Sequence, residues 1–232
     1  MGMNKDVILL RTVEVAAIAA YKYIGRKNKN AIDAAAVEAM EVMLENANNF
    51  RLKIINGEGE LDKAPRLYEG QILGDLKNAK APLFDMSVDP IEGTNPAAYN
   101  FAGSISVIAI SQANSMLKLP EMYMEKLFVA AYLKGVANLE QGIIKAVEKM
   151  QHFLGKKDLK AIILDKPRHA PIIQQLDSLG VIVRLIQDGD VLAAIDVVNG
   201  EADFVYGVGG APEGVLMASL AISSGAEMFA RL

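Results

Sequence analysis

The chain contains no cysteine and only two histidines, His152 and His169, among its 232 residues. The absence of cysteine excludes disulfide bonds, thiolate zinc sites and a cysteine nucleophile. Two histidines are too few for a histidine-rich metal site. Any bound metal must therefore take oxygen ligands, which favours magnesium, manganese or calcium.

The chain also lacks a basic run and a long uncharged apolar segment. Its formal net charge is −4, which argues against nucleic acid as a main partner. The apolar stretch near the N-terminus is interrupted by Arg11, Glu14 and Lys22. Its longest uncharged run, residues 15–21, is too short to cross a bilayer. We expect no membrane association and a cytoplasmic location.

Hydrophobic periodicity predicts an α/β protein. Helical spacing predicts helices over residues 5–24 and from about Asn30 onward, followed by a strand over residues 51–56. After about residue 136, short apolar strands alternate with helices, a pattern typical of a parallel sheet covered by helices. We therefore place a lobe boundary near residue 135, between an N-terminal lobe (1–135) and a C-terminal α/β lobe (136–232).

Acidic residues recur at the ends of the predicted elements. They are Asp33 at a helix start, Glu58 after one strand, Asp89 and Glu92 after another, and Glu213 at the start of the last helix. An acid in a first helical turn complements the helix dipole, so Asp33 and Glu213 taken singly have a structural explanation. The segment "DPIEGT", taken singly, is an acceptable turn.

Taken together, these acids also predict a metal site. Asp89 and Glu92 can chelate from one turn, and the carbonyl of Ile91 between them can face the same ion. Thr94 then lies close enough for its hydroxyl to orient a metal-bound water. Such a water becomes a nucleophile near neutral pH, and oxygen-only ligands are usual in phosphoryl-transfer sites.

Six segments then make a family resemblance visible. In order along the chain they are "NGEGELDKAP", "VDPIEGTN", "PEMYMEK", "KPRH", "QDGD" and "YGVGGAPEGV". The set resembles the class II fructose-1,6-bisphosphatases, the GlpX family, within the lithium-sensitive inositol monophosphatase-like superfamily. The resemblance runs from about residue 10 to the end of the chain. It also implies that the N-terminal lobe is the metal-binding one.

The resemblance implies a layered α/β sandwich of the sugar-phosphatase type. It implies a phosphatase, dependent on Mg²⁺ or Mn²⁺, that removes the 1-phosphate of fructose 1,6-bisphosphate in gluconeogenesis. Attack of a metal-bound water would break the phosphoester. The resemblance also implies a homo-oligomer, either a dimer or a tetramer, with a sugar bisphosphate as substrate.

Site residues follow from the resemblance by motif match. The implied metal ligands are Asp33, Glu58, Asp89, Glu92 and Glu213, and the implied water activators are Thr94 and Asp33. The implied substrate contacts are Glu92, Gly93, Thr94, Tyr123, Lys166, Arg168, Asp188, Asp190 and Gly210. Their chemistry agrees, since cations can hold a phosphate, carboxylates can accept from sugar hydroxyls, and amides before a helix suit an oxyanion.

Several of these residues also have plain structural interpretations. Tyr123 fits a half-buried core aromatic, and Lys166 and Arg168 fit a solvated strand end. His169 has no evident proton to move and is interpreted as structural. Glu60 and Asp85, although they lie in or beside the family motifs, are left out of the metal shell.

Two departures from the family pattern bear on function. Asn95 and Pro96 follow Thr94 where many relatives have an arginine, a form similar to cyanobacterial enzymes that also accept sedoheptulose 1,7-bisphosphate. The chain also ends soon after the Glu213 helix, so we expect part of the C-terminal lobe to be missing relative to the family. A sheet edge opened in this way needs a partner to cover it.

Two competing hypotheses belong to other functional classes. The first is a catalytically weak or inactive truncated homologue with an assembly or binding role. The second is a dinucleotide-binding domain, suggested by "GVGGAPEG". There the third glycine is misplaced and Glu213 would face a pyrophosphate, so this hypothesis is weak.

Overall fold

The computed structural model describes residues 4–59 and 65–232. Glu60, considered above, lies outside the described residues. The chain divides into two compact units, the first ending at Pro120 and the second beginning at Glu121. This division lies before the boundary expected near residue 135, because the strand Tyr123–Val129 belongs to the sheet of the second unit.

The first unit places two helices against a four-stranded sheet. Its elements are α1 (Lys5–Tyr21), α2 (Lys29–Glu45), β1 (Arg51–Asn56), β2 (Ile72–Gly74), β3 (Leu83–Glu92), α3 (Thr94–Tyr99) and β4 (Ile105–Gln112). The strand order is β2-β1-β3-β4. Strands β1 and β3 run parallel, whereas β2 and β4 are antiparallel to their neighbours.

Asparagine caps and alternating side chains explain why these elements form. The Oδ1 atom of Asn28 accepts a hydrogen bond from the amide of Ala31 at 3.1 Å, which satisfies an otherwise unpaired donor at the start of α2. In β1 every second side chain is buried, including Leu52 and Ile54. These residues join one apolar core with α1 and α2, so α2 is held against the sheet.

Strand β3 continues further than the sequence predicts. We expected it to end before Asp89, but it pairs with β4 at Asp89 opposite Val107 and again at Glu92 opposite Ile105. The register shifts between these two pairs. Such a bulge tolerates Pro90, which has no amide hydrogen to give to the ladder. The turn therefore comes at Gly93 rather than at Asp89.

The second unit contains a five-stranded sheet with helices on both faces. Its elements are β5 (Tyr123–Val129), α4 (Gly142–Leu154), β6 (Lys160–Leu164), α5 (Ala170–Ser178), β7 (Ile182–Ile186), α6 (Asp190–Val198), β8 (Phe204–Gly210), α7 (Ala211–Ser224) and β9 (Glu227–Arg231), with short 3₁₀ turns at Ala131–Leu133 and Pro167–His169. The strand order is β7-β6-β8-β5-β9.

The sheet of the second unit is mixed, not parallel as the sequence pattern predicted. Strands β7, β6 and β8 run parallel, but β5 is antiparallel to both β8 and β9. Strands β8 and β9 therefore share a direction, as the α7 crossover between them requires, and β5 is inserted between them. The alternation of strands and helices in the sequence predicted the parallel connections, but it did not predict that β5 lies between β8 and β9.

The two faces of β5 serve different purposes. Leu127 and Val129 join the apolar core formed with α4 and α5. Side chains alternate across a strand, so Lys126 points to the opposite face, where its ammonium contacts Asp190 at the start of α6. Helices α6 and α7 cover this second face. The α6–α7 face thus carries polar side chains at one end of the sheet.

In the described ranges, no helix combines the length and the apolar character that crossing a bilayer requires.

The core of the first unit gives a stability prediction. Leu52 is fully buried in β1, and we expect Leu52→Ala to lower the free energy of unfolding by about 2–5 kcal/mol, because the cavity cannot fully collapse. Urea unfolding measures the change. Leu76→Ala is the control, because Leu76 is 63% exposed and should shift stability by less than about 0.5 kcal/mol. Equal effects of the two changes would contradict the packing described.

Candidate active site

The segment from Asp89 to Thr94 is held in one conformation by its own hydrogen bonds. Asp89 Oδ1 accepts from the amide of Ile91 at 3.0 Å, and Thr94 Oγ1 donates to the carbonyl of Ile91 at 3.1 Å. Gly93 between them has φ of +80°. A Cβ atom there would lie 2.6 Å from the carbonyl oxygen of Gly103, so no larger residue fits without moving the backbone.

The orientation of the Thr94 hydroxyl follows from this turn. Its hydrogen is committed to the Ile91 carbonyl, so its oxygen is left to accept a hydrogen bond. A water molecule is a donor of the right size. Thr94 can therefore fix the position of a water, which is the role that the family resemblance implies for it.

Asp33 lies in the second turn of α2, because the helix begins at Lys29. The prediction that it lies in the first turn was wrong, and the helix-dipole explanation for it is weakened accordingly. Helix α2 packs against β3 and α3, the two elements that carry Asp89 to Thr94. Burial raises the pKa of the Asp33 carboxyl above its usual value, because the charged form is less well solvated there.

The remaining acids of the first unit lie at the expected strand ends. Glu58 follows β1 and is half-buried, and its amide donates to the carbonyl of Leu67 at 3.0 Å. Glu92 ends β3 and is buried. Among the residues described, no three or more Asp, Glu or His side chains form a group that could hold a metal ion. Their common coordination of an ion therefore stays a prediction.

The second unit gathers charged residues around the end of β8. Glu213 lies in the first turn of α7, and its buried Oε2 atom has no hydrogen-bond partner in the structure. Burial raises the pKa of the Glu213 carboxyl; Asp190 and Asp188 raise it further, while its own amide and Lys126 lower it. A buried carboxylate oxygen of this kind is a ligand that suits a hard divalent cation.

Tyr123 and Arg168, two of the implied substrate contacts, lie against each other. The guanidinium of Arg168 lies over the ring of Tyr123, 4.9 Å from its centroid, and its Nε donates to the carbonyl of Val208 at 3.0 Å. Tyr123 is 66% exposed, so its interpretation as a core aromatic was wrong. It pairs with Gly210 across β5 and β8, so these predicted substrate contacts share one sheet edge.

Lys166 and Asp188 flank this edge on neighbouring loops. The Nζ atom of Lys166 donates to the carbonyl of Gln187 at 2.8 Å, which ties the loop after β6 to the loop after β7. Asp188 Oδ1 accepts from the amide of Gly189 at 3.2 Å, just before α6. The ends of parallel strands meet here, which is where open α/β sheets bind ligands.

His169 lies just before α5 and connects the start of that helix to β8. The amide of Val208 donates to Nε2 at 2.8 Å, so the imidazole is neutral and its Nδ1 hydrogen goes to the carbonyl of Leu164 at 2.7 Å. Burial lowers the pKa of His169, and the nearby Arg168 and Lys166 charges act in the same direction. Both ring nitrogens are used structurally.

One charged residue of this cluster was not singled out from the sequence. Lys126 is buried in β5, forms an ion pair with Asp190, and donates to the carbonyl of Gly210 at 2.9 Å. Its signal was a lysine inside the apolar strand "YMEKLFV", since lysine is seldom fully buried unless it is paired.

The architecture defines the class of protein first. The structure is similar to that of an inositol monophosphatase from Anabaena, with a TM-score of 0.50 at 15% identity, over 94% of this chain and 81% of the other. At this identity the likeness concerns the fold alone. The chain has the layered α/β fold of the sugar phosphatases.

The family is shown by sequence comparison. The model of the bacterial, glpX-encoded fructose-1,6-bisphosphatases matches residues 4–232. The class 2 fructose-1,6-bisphosphatase of Haemophilus influenzae is 42% identical over 96% of this chain, and so is one from Escherichia coli. This chain belongs to the glpX-encoded fructose-1,6-bisphosphatase family. Membership implies dependence on a divalent metal ion without identifying the ion.

Two further facts qualify the comparison. The chain spans about two thirds of the length of these relatives, 67% for Haemophilus influenzae and 66% for Escherichia coli. A Synechocystis protein named D-fructose 1,6-bisphosphatase class 2/sedoheptulose 1,7-bisphosphatase is 37% identical over 94% of this chain and 67% of its own length.

His169 gives a pH prediction. Its pKa is lowered in the folded state, whereas the unfolded chain has a value of about 6.5. The unfolded state thus binds more protons between these two values, so stability is intact above about pH 6.5 and is lost as the pH falls through the folded pKa. We expect His169→Gln to flatten the fall in melting temperature between about pH 7 and 5.

The exposed His152 on α4 provides the matched control. His152→Gln should leave the pH profile of the melting temperature unchanged. A wild-type profile that stays flat over this range, or one that only His152→Gln flattens, would contradict the role described for His169.

Proposed function

We propose that this chain is a metal-dependent phosphatase that releases the 1-phosphate of fructose 1,6-bisphosphate by attack of a water positioned by Thr94. The observation that carries the proposal is the hydrogen bond from Thr94 to the Ile91 carbonyl, which orients the hydroxyl oxygen as an acceptor next to the acids of β3. Family membership supplies the substrate class.

The metal would be Mg²⁺ or Mn²⁺, and its ligands would be Asp33, Glu58, Asp89, Glu92 and Glu213. Carboxylates are the ligands that these cations prefer, and the buried, unbonded Oε2 of Glu213 is consistent with such a role. When bound, the ion would neutralise phosphoryl charge and acidify water.

The chain's own residues divide the remaining work. Thr94 accepts a hydrogen bond from the attacking water, and Asp33 takes a proton from it. Arg168, already fixed by Tyr123 and Val208, offers its remaining N–H groups to a phosphate, together with Lys166. The other proposed substrate contacts are Glu92, Gly93, Asp188, Asp190 and Gly210.

The sugar specificity extends to sedoheptulose 1,7-bisphosphate in this proposal. The chain carries Asn95 and Pro96 after Thr94, and relatives at 37% identity are named for both activities. We further propose a homo-oligomer in the cytoplasm. Metal binding falls to the N-terminal lobe, apart from Glu213.

The direct test is phosphate release from fructose 1,6-bisphosphate by the 232-residue chain with Mg²⁺, Mn²⁺ or Ca²⁺. Fructose 6-phosphate should appear in equal amount, since the 1-phosphate is the one removed. Sedoheptulose 1,7-bisphosphate is tested in parallel. Absence of turnover with every metal would overturn the proposal and favour the inactive homologue considered above.

Metal binding gives a prediction that does not need turnover. An ion that binds only the folded state raises its stability, by about 2.7 kcal/mol at a concentration 100 times the Kd. We expect Mg²⁺ or Mn²⁺ to raise the melting temperature, and Asp89→Asn to reduce this rise. Asp177→Asn, on the exposed face of α5, should keep it. A melting curve indifferent to both metals would count against the site.

Thr94 gives the sharpest prediction on mechanism. Thr94→Val keeps the shape of the side chain but removes the hydroxyl, so we expect the fold and the metal response to persist while kcat falls roughly 10²–10⁴-fold. Thr94→Ser should retain part of the activity, because its hydroxyl can still donate to Ile91. The measurement is kcat at saturating metal alongside melting temperature. Wild-type turnover in Thr94→Val would remove Thr94 from the mechanism.

A further inference from the structure

Lys126 occupies an unusual position for a lysine. It lies in the middle of β5, opposite Gly207 of β8, and its side chain is only 3% exposed. Its ammonium has two acceptors, the carboxylate of Asp190 and the carbonyl oxygen of Gly210 at 2.9 Å. A buried charge is tolerated only when it is paired and hydrogen-bonded, and Lys126 satisfies both conditions.

The surrounding glycines leave room for this contact. A Cβ atom at Gly209 would lie 2.7 Å from Asp190 Oδ2 and 3.1 Å from Lys126 Nζ. A Cβ atom at Gly214 would lie 3.4 Å from Lys126 Cδ. Strand β8 and helix α7 thus approach the lysine at points where no side chain intervenes. The ammonium thereby connects β5, the start of α6 and the junction of β8 with α7.

The two acceptors of Lys126 are both proposed substrate contacts. Asp190 opens α6, and the Gly210 carbonyl belongs to the residue just before α7. The same ammonium also opposes the charge that Asp188, Asp190 and Glu213 concentrate at this point, as its effect on the Glu213 carboxyl shows. Three acids without a nearby cation would repel an anionic sugar phosphate.

Stability alone is a weak explanation for such a pair. Replacing a buried ion pair by apolar residues is often neutral or stabilising, whereas removing one partner is costly. Buried polar groups also fix one arrangement of the elements that they join. The elements joined here carry Asp190 and Gly210. The contact therefore fixes the positions of these two proposed substrate contacts.

We propose that Lys126 is a positioning residue for substrate binding: it holds Asp190 and the Gly210 carbonyl in the arrangement that receives the sugar phosphate. The inference rests on the proposed function for its substrate. Lys126 itself is buried and acts through these two groups.

The test compares Lys126→Met, which keeps the length of the side chain without its charge, with wild type. We expect the Kd for fructose 1,6-bisphosphate, measured by titration calorimetry, to rise about tenfold or more, as expected for loss of a hydrogen bond to a charged group. The KM should rise with it, whereas kcat should stay within about threefold because Thr94 and Asp33 are unchanged. Lys145→Met is the matched control, because Lys145 pairs with Glu148 on the exposed side of α4.

The same substitution made in an Asp190→Asn chain distinguishes a positioning role of Lys126 from general destabilisation. In Asp190→Asn, the neutral amide no longer forms an ion pair with the ammonium, so Lys126→Met should weaken binding by a much smaller factor there than in wild type. A purely structural role predicts a lower melting temperature in Lys126→Met, with Kd and KM unchanged at a temperature where every variant is folded. Effects on Kd that simply multiply in the double variant would also overturn the proposal.

Failure of the Lys126 proposal can be distinguished from failure of the proposed phosphatase function. A wild-type chain that binds fructose 1,6-bisphosphate but releases no phosphate overturns the phosphatase proposal, while the Kd comparison still decides the role of Lys126. A wild-type chain that does not bind this compound overturns both.

Discussion

Charged side chains are buried in both units of this protein, and each burial requires compensation because an isolated charge is strongly disfavoured away from water. In the first unit Glu41 is satisfied by Arg66 and Gln71. In the second unit the ammonium of Lys126 is satisfied by Asp190 and Gly210. These contacts join elements far apart in the chain, and the geometry of the candidate site depends on the pair in the second unit.

Two carboxyls that are implied in function are affected by burial. Burial raises the pKa of the Asp33 and Glu213 carboxyls, because removing a carboxylate from water disfavours its charged form. A bound divalent cation would act in the opposite direction on a carboxylate that it contacts. Glu213 lies in the first turn of α7, where a negative charge also complements the helix dipole, and the family to which the chain belongs depends on a divalent metal ion.

Local periodicity and turn chemistry were sufficient for much of the fold. The strand over residues 51–56 matches β1, and the last predicted helix matches α7, because each has a strong apolar pattern and clear end signals. The three-residue strand β2 is too short to show a period. The antiparallel position of β5 between β8 and β9 has no signal in the local sequence pattern.

The sequence by itself determined the candidate site residues: the acids at element ends, the "DPIEGT" turn and the cations of "KPRH" can be recognised from residue type and from their immediate neighbours. Only the tertiary structure decided how they are held. The bulge that moves the turn to Gly93 depends on pairing with β4, and the stacking of Arg168 on Tyr123 depends on β5 lying beside β8. The role of Lys126 likewise needs Asp190, which lies 64 residues further along the chain. Hydrophobic periodicity depends only on residues that are near one another in the sequence. Contacts between residues far apart in the chain therefore leave no signal in it.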